Sequence, residues 1–478
     1  MRFNREIESF IKEFVKDLAE NNVAVFAGAG MSKSAGFVNW ADLLRDIATE
    51  LGLSVDKEHD LISLAQYHVN ENRGKARINK KILEEFAQEA ETTENHKVLA
   101  RLPVTTFWTT NYDTLIEDSL KAANKVVDIK HQVKQLASTR PKRDVVIYKM
   151  HGDVYHPADA ILTKEQYESY YKTHEAFVTA LSGDLISKTF LFVGFSFTDP
   201  NLDYVLSRLS IQFGENSRQH YCFIKKQSRG KDDEEMFKYN FRKQELMVND
   251  LMRYKIKTLL VDEYTDITEI LGEIERRFRK KTVFISGSAE EYGAWSRNEA
   301  QSFIHTLSKS IVSSGFRIVN GFGWGVGSAI INGALEAVYE KPDRYSEDQL
   351  IMRPFPQFET GDKKLSDLWE EYRQRMISLA GIAVFIFGNK NDGKGNVTLA
   401  NGVKREFEIA LSQGLIPIPI ASTGYITQEI FDKIFKGPEK YYEGMEWAIP
   451  IIIELASDKL SIDEIIQRVI TIIQKINK

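Results

Sequence analysis

Thr109-Thr110-Asn111-Tyr112-Asp113 follows directly after the apolar run Val104-Thr105-Thr106-Phe107-Trp108. This pattern is typical of a buried strand that ends in turn-prone residues. Two comparable stretches flank it in the chain, Gly28-Ala29-Gly30-Met31-Ser32 before it and Met150-His151-Gly152-Asp153 after it. Each of these also follows an apolar strand. Together the three stretches predict one dinucleotide site, with the Asn111 stretch as its middle part.

The bulk composition limits the class of protein. A chain of 478 residues is too long for one hydrophobic core and predicts two or three domains. With 43% hydrophobic and 27% charged residues, the composition is that of an ordinary soluble globular protein. The formal charge of -5 at pH 7 provides no basic field that would attract nucleic acid. We therefore expect no nucleic-acid partner.

The single cysteine, Cys222, excludes an intramolecular disulfide and a zinc site built from cysteines. Its apolar neighbours predict a buried position in a strand. His59, His68 and His96 stand among polar residues and are predicted to be solvated. Because no H-x-x-x-H or comparable spacing occurs, we expect no metal.

The chain also lacks targeting and membrane signals. Its N-terminus is charged from Arg2 onward and has no signal-peptide pattern. The longest apolar stretches, such as residues 189–197 and 382–387, are far shorter than the ~20 residues that a membrane span needs. We expect a cytoplasmic protein that does not bind membranes.

Four apolar strands in the first half end in small or polar residues. They are predicted at residues 23–26, 104–108, 145–150 and 189–193. Ligands of open α/β sheets bind at the carboxyl ends of parallel strands, so these four ends should converge. Residues 40–100 alternate short helical patterns with polar turns and predict a helical insertion.

The ordered motifs resemble the sirtuin family over roughly residues 1–270. That family carries a G-A-G-x-S turn, a T-x-N-x-D segment, a catalytic His before Gly and a later G-x-S. The resemblance implies that Asn111 holds the ribose of NAD and positions water, and that His151 is the general base, for which its ordinary pKa of ~6.5 is suitable. We expect the NAD contacts to come from the same turns: Gly28, Ala29, Gly30, Ser32, Tyr112, Asp113, Gly194, Ser196, Phe197 and Asp199.

The chain departs from the sirtuins in one respect. Sirtuin deacylases carry a zinc ribbon of four cysteines, and this chain has one cysteine. The resemblance therefore favours NAD as a substrate that is hydrolysed to nicotinamide and ADP-ribose, with water as the acceptor. An NAD-dependent protein deacylase and a non-catalytic nucleotide sensor are the alternatives.

A second α/β pattern begins after the basic run that ends at Lys281. We predict two Rossmann-like domains, residues 1–281 and 282–478, each a mostly parallel sheet flanked by helices. In the second, a strand at residues 282–288 ends in small residues, and residues 320–328 form the most glycine-rich loop of the chain. A helix follows this loop and makes it a suitable anion site.

The second domain resembles the SLOG family of nucleotide-sensing domains, which is similar to the lonely-guy phosphoribohydrolases. Their double-glycine loop is altered here, which favours binding over hydrolysis. Arg373 or its neighbour Arg375 would pair with phosphate, and spacing alone does not choose between them. The expected effector contacts are Gly287, Ser288, Gly321, Gly323, Arg373, Lys390 and Glu406.

The order of the two domains resembles the NADase effectors of the Thoeris anti-phage defence system. The resemblance implies that a protein with a TIR domain makes a cyclic ADP-ribose isomer, which binds the SLOG domain and activates NAD hydrolysis. It also implies a homo-oligomer, a tetramer.

Overall fold

A computed structural model of the chain describes residues 3–58, 60–88, 90–230, 233–359 and 361–478. His59, one of the three histidines predicted to be solvated, lies outside these ranges. The chain divides into two compact units, Met1–Glu275 and Arg276–Lys478. This division falls shortly before Lys281, where the sequence pattern places the boundary. None of the helices in the described ranges is long and apolar enough to cross a bilayer.

The first unit contains one seven-stranded sheet. Its strands are β1 (Val23–Ala27), β2 (Thr106–Thr109), β3 (Val127–Lys130), β4 (Val145–Lys149), β5 (Thr189–Val193), β6 (His220–Lys225) and β7 (Ile256–Val261). They lie in the order β3-β4-β2-β1-β5-β6-β7, and every pairing is parallel. The four predicted strands are therefore neighbours that point the same way, and the predicted convergence of their ends is confirmed.

Helices cover both faces of this sheet and form the insertion between β1 and β2. They are α1 (Arg5–Ala19), α2 (Ala29–Lys33), α3 (Trp40–Leu43), α4 (Arg45–Glu50), α5 (Leu61–Glu71), α6 (Ala76–Phe86), α7 (Glu94–Arg101), α8 (Leu115–Ala122), α9 (Lys164–Thr173), α10 (Glu175–Ser187), α11 (Pro200–Phe213), α12 (Glu234–Arg253) and α13 (Tyr264–Arg279). Helices α3 to α7 confirm the predicted helical insertion, and the division between the two units, after Glu275, falls within α13. Every residue of β1 and β5 is buried, as expected for a parallel sheet covered on both faces.

The prediction that His68 and His96 are solvated is wrong. His68 is buried, and its Nε2 atom lies 3.0 Å from a carboxylate oxygen of Glu50. His96 is buried as well, and its Nδ1 atom lies 2.7 Å from the Thr93 hydroxyl. Polar residues of the insertion supply these partners, Glu50 from a neighbouring helix and Thr93 from just before His96, so polar residues around a histidine do not indicate exposure here. Cys222 is buried in β6, as predicted.

The second unit contains a five-stranded sheet and a hairpin. The strands of the sheet and hairpin are β8 (Thr282–Ser288), β9 (Arg317–Asn320), β10 (Leu350–Met352), β11 (Ile382–Phe387), β12 (Asn389–Asn391), β13 (Val397–Leu399) and β14 (Ile416–Pro419). The sheet order is β10-β9-β8-β11-β14 with parallel pairing throughout, and β12 pairs antiparallel with β13. The helices are α14 (Arg297–Ser313), α15 (Gly327–Glu340), α16 (Leu365–Ile377), α17 (Asn401–Ser412), α18 (Ile426–Ile434), α19 (Ala448–Glu454) and α20 (Ile462–Ile476). The predicted fold class, two α/β units built on parallel sheets, is confirmed.

Candidate active site

The turns after β1 and β5 are packed backbone against backbone. The Gly28 amide donates to the Val193 carbonyl, and the Gly30 amide donates to the Gly194 carbonyl, each at 2.9 Å. A Cβ atom on Gly28 would lie 2.5 Å from the Gly194 carbonyl oxygen, and one on Gly194 would overlap the backbone nitrogen of Met31. These glycines are therefore required by the contact between the two turns, in addition to any approach of a ligand.

Asn111 is buried against the glycine turn. Its side-chain amide donates to the Gly28 carbonyl and to the Ser32 hydroxyl, both at 3.1 Å. Its backbone amide donates to the Thr109 hydroxyl at 2.9 Å, and that hydroxyl donates to the Ala27 carbonyl at 2.9 Å. The structure therefore brings Asn111, Gly28 and Ser32 together, as the sequence pattern predicts.

His151 follows β4 and is buried. Its Nε2 atom lies 3.3 Å from Asp199 Oδ2 and 3.4 Å from Asn201 Nδ2, and its Nδ1 atom lies 3.4 Å from the Tyr167 hydroxyl. The carboxylate accepts a hydrogen bond only from a protonated Nε2, whereas the amide donates only to an unprotonated one. The two contacts are thus alternatives that belong to different protonation states of the ring.

The electrostatic environment of His151 favours the neutral ring. Burial lowers the pKa of His151, and the negative charge of Asp199 opposes that shift. Since the pKa lies below its ordinary value, the imidazole is neutral at neutral pH and able to accept a proton. The nearby carboxylate would then stabilise the imidazolium that forms.

Asp199 is held at the N-terminus of α11. Its Oδ1 atom accepts hydrogen bonds from the backbone amides of Asn201 and Leu202, both at 3.0 Å. This cap leaves Oδ2 facing His151. The sequence pattern predicts Asp199 only as an NAD contact and does not predict its position beside His151. Asp followed by Pro200 is a helix-start signal, but nothing in it points to a histidine more than forty positions earlier.

Two other residues predicted to contact NAD, Tyr112 and Asp113, form hydrogen bonds within the protein. The Tyr112 hydroxyl donates to the Ile161 carbonyl at 2.9 Å, and its ring centroid lies 5.6 Å from that of Phe86, in the core of the insertion. Asp113 is buried, and its Oδ1 atom accepts from the amide of Leu115, the first residue of α8, at 3.1 Å. Burial raises the pKa of Asp113.

The remaining residues predicted to contact NAD lie at or near the protein surface, in the turns after β1 and β5. Ala29 and Ser196 are exposed. Phe197 has a left-handed backbone conformation, with φ of 58°, and its ring centroid lies 5.1 Å from that of Phe192 and 5.3 Å from that of Phe195. A residue that is not glycine is rare in this conformation, and such strain is common at ligand sites.

The second unit repeats the glycine arrangement. A Cβ atom on Gly323 would overlap the Gly287 carbonyl oxygen, and one on Gly321 would lie 2.7 Å from the ring of Phe355. The Ser288 hydroxyl donates to the Asn389 carbonyl at 2.9 Å. The turns after β8, β9 and β11 thus meet at one edge of this sheet.

Two of the predicted charged residues face each other beside these turns. Arg373 Nε lies 3.6 Å from Glu406 Oε1, and the Ser286 hydroxyl donates to Glu406 Oε2 at 2.6 Å. Burial raises the pKa of Glu406, while Ser286 and Arg373 oppose that shift. Arg375, the alternative to Arg373, is exposed on the same helix, and Lys390 is exposed on the hairpin.

Metal ligands do not cluster in the described ranges. Within them, no group of three or more His, Cys, Asp or Glu side chains is arranged to hold an ion.

The fold and its turns define the class of protein, which is a sirtuin-like α/β unit followed by a SLOG-type α/β unit. A SIR2-like domain family matches residues 105–248, and the Sir2- and TIR-associating SLOG family matches residues 266–476. The chain is 50% identical over 477 residues to a Bacillus cereus (strain MSX-D12) protein named NAD(+) hydrolase ThsA, covering 99% of both chains. Proteins of the same name from Cytobacillus dafuensis and Enterococcus faecium are 48% and 38% identical, over 98% of this chain in each case. The chain therefore belongs to the ThsA family of NAD+ hydrolases.

We predict that Gly194→Ala destabilises the first unit, because alanine would have to adopt a φ of 65° while its Cβ overlaps Met31. The free energy of unfolding should fall by about 2–4 kcal/mol, which combines backbone strain with overpacking. Gly52→Ala is the matched control: φ there is 72°, and no described atom lies within 4 Å of the added Cβ. This variant should lose only about 1 kcal/mol. Equal losses in chemical denaturation would show that the turns are not tightly packed.

Proposed function

We propose that the chain hydrolyses NAD+ to nicotinamide and ADP-ribose at the turns after β1, β2, β4 and β5, and that a cyclic ADP-ribose isomer bound to the second unit activates it. The main support for the proposal is the contact of Asn111 with Gly28 and Ser32. This contact lies at the edge of the sheet where β4 ends and His151 follows. Membership of a family of NAD+ hydrolases supports the substrate. In the cell the reaction would deplete NAD+, and we propose that this serves anti-phage defence.

The chemistry requires a site that stabilises positive charge on the ribose. Departure of nicotinamide leaves an oxocarbenium-like sugar, and groups placed for that charge lower the barrier. We assign Asn111 to the ribose hydroxyls and to the attacking water. None of the described residues donates to its Oδ1 atom, which is therefore able to accept from a hydroxyl. With a single cysteine, the chain has no four-cysteine ribbon, and water is the acceptor.

We assign His151 as the general base, with Asp199 as the group that stabilises its charged form. The neutral ring takes a proton from water or from a ribose hydroxyl, and the carboxylate 3.3 Å from Nε2 then favours the imidazolium. The contacts of His151 with these neighbours are 3.3–3.4 Å long.

The second unit is proposed to bind the effector through the turns after β8, β9 and β11. Arg373 and Glu406 supply a cation for phosphate and an acceptor for ribose hydroxyls. Of the two candidate arginines, Arg373 is favoured because it faces Glu406, whereas Arg375 is exposed. Activation then requires that the effector binds the active state more tightly than the inactive state.

We also propose that a TIR-domain protein makes the effector and that the chain works as a homo-oligomer, a tetramer. The description of the SLOG family that matches residues 266–476 includes association with Sir2 and TIR. That description supports the TIR partner. The tetramer rests on the resemblance drawn from the order of the two domains.

We predict that Asn111→Ala and His151→Ala each lower the rate of nicotinamide release from NAD+ by at least about 100-fold, because each removes a group that acts on the reacting atoms. Folding should be preserved, since Asn111→Ala removes only two side-chain hydrogen bonds. His156→Ala, an exposed histidine of the same loop, should retain near-normal turnover. Retained hydrolysis in both active-site variants would contradict these catalytic roles.

We predict that the acid limb of the kcat/KM profile lies below pH ~6.5, because burial lowers the pKa of His151 and the base is lost only when the ring is protonated. Asp199→Asn should move this limb to still lower pH, since the carboxylate that raises the pKa is removed. Asparagine preserves the cap of α11. Asp203→Asn on the same helix, whose partner is the Tyr254 hydroxyl, should leave the limb in place. A shift to higher pH in Asp199→Asn would contradict the assignment.

We predict that Arg373→Ala raises the effector concentration needed for half-maximal activation by at least about tenfold, the usual cost of losing a hydrogen bond to a charged group. Arg375→Ala should respond like the parent chain. The measurement is nicotinamide release titrated with cyclic ADP-ribose isomers, with thermal unfolding to verify folding. An unchanged response in Arg373→Ala, or a larger loss in Arg375→Ala, would reassign the phosphate contact.

A further inference from the structure

Lys149, the last residue of β4, is a completely buried charge. Its relative exposure is 0%, and it stands two residues before His151. Burying an ammonium group is costly unless every donor is paired. A lysine in this position therefore needs a reason beyond filling space.

Four acceptors surround the Lys149 ammonium. They are the Tyr112 carbonyl at 3.1 Å, the Asp113 carbonyl at 2.6 Å, Glu117 Oε1 at 2.9 Å and Asp153 Oδ2 at 2.8 Å. An ammonium has three N–H donors, so these acceptors use its full capacity. It has no donor left for a substrate, and its role must be carried out through the groups that it holds.

Three of the four acceptors belong to the two turns that present the proposed catalytic side chains, and the fourth, Glu117, lies on α8. The Tyr112 and Asp113 carbonyls follow Asn111 directly, and Asp153 lies two residues after His151. Asn111 is thus fixed on both sides, by the Thr109 hydroxyl before it and by the ammonium after it. A single cation spans the two turns.

We propose that Lys149 is a positioning residue that sets the placement of Asn111 relative to His151 for NAD+ cleavage. This inference rests on the proposed catalytic roles of those two residues. The acceptors on Tyr112 and Asp113 are backbone carbonyls, so their hydrogen bonds with the Lys149 ammonium restrain the main chain directly after Asn111. Asp153 accepts through its side chain, and its other carboxylate oxygen accepts from the Tyr155 amide, which ties the ammonium to the backbone of the turn after His151. A displacement of about 1 Å between catalytic groups is enough to cost about 100-fold in rate.

Lys130 provides the comparison for a buried lysine with only a structural role. It is 4% exposed on the neighbouring strand β3. Its ammonium pairs with Asp128 Oδ1 at 2.9 Å and donates to the Ser138 carbonyl. Neither partner belongs to a turn that carries Asn111 or His151. Its removal should therefore affect stability without affecting the catalytic geometry.

The test uses the full chain with Lys149→Met, the pair Lys149→Met/Glu117→Gln, and Lys130→Met as the control. In the pair, the loss of the cation is offset by the loss of one buried carboxylate, so this variant remains informative if Lys149→Met alone does not fold. Nicotinamide release from NAD+ is measured with the cyclic ADP-ribose isomer that gives the parent chain its highest rate. The parent chain and all variants are assayed at one temperature, about 10 °C below the lowest unfolding midpoint, so that neither unfolded protein nor temperature accounts for lost rate.

We expect kcat to fall about 100-fold in Lys149→Met, with KM within about threefold of the parent value. Relative to Lys149→Met, the Lys149→Met/Glu117→Gln variant should regain most of the decrease in unfolding midpoint and none of the decrease in kcat. Lys130→Met should lower the midpoint while kcat stays within about threefold. A pair variant that recovers both quantities, or a Lys130→Met variant that loses kcat as strongly, would overturn the positioning role.

The failure of this inference can be told from failure of the proposed function. Asn111→Ala and His151→Ala are assayed in parallel. If both retain turnover, the catalytic assignment is wrong and Lys149 has nothing to position, which overturns the inference as well. If both lose turnover while Lys149→Met/Glu117→Gln keeps the parent kcat, the catalytic assignment stands and only the role of Lys149 falls.

Discussion

Parallel pairing of β4, β2, β1 and β5 is the constraint on which the catalytic unit depends. Because these strands are adjacent and point the same way, the turns that follow them meet at one edge of the sheet. Two of the turns touch through their backbones, since the Gly30 amide donates to the Gly194 carbonyl. The other two supply Asn111 and His151. The second unit uses the same principle, with the glycine turn after β9 in contact at Gly323 with Gly287 near the end of β8.

Each unit also buries charged groups behind its turns. In the first, Lys149 pairs with Glu117 and Asp153, and in the second, the buried Glu406 accepts from the Ser286 hydroxyl and lies 3.6 Å from the half-buried Arg373. Such groups are tolerated only when they are paired, and inside a low-dielectric site their hydrogen bonds are strong and directional. A fixed array of this kind is suited to preorganised catalysis and to the binding of charged nucleotides. The same pairing makes each array sensitive to the loss of one partner.

The sequence predicts the parts of this account that depend on local pattern. Apolar strands that end in small or polar residues indicate both sheets, and the helical insertion follows from its periodicity. Parts that depend on distant partners were not predictable. In the sequence, Lys149 is an ordinary strand residue, because its acceptors come from other segments of the chain. Asp199 is only a helix-start signal in the sequence, because the contact with His151 forms across 48 positions. The strands β3, β12 and β13 escaped prediction because they are short and partly polar, and β10 escaped because its three apolar residues are too few to form a pattern. Spacing also left Arg373 and Arg375 equivalent, although only Arg373 faces Glu406.

The central claim is that the first unit hydrolyses NAD+ under the control of a nucleotide bound to the second. The most direct measurement is nicotinamide release from NAD+ by the purified full chain, with and without cyclic ADP-ribose isomers, in the absence of any acyl peptide. We predict release that rises with one isomer and saturates. Release that requires an acyl peptide, or no release with any isomer, would contradict the account.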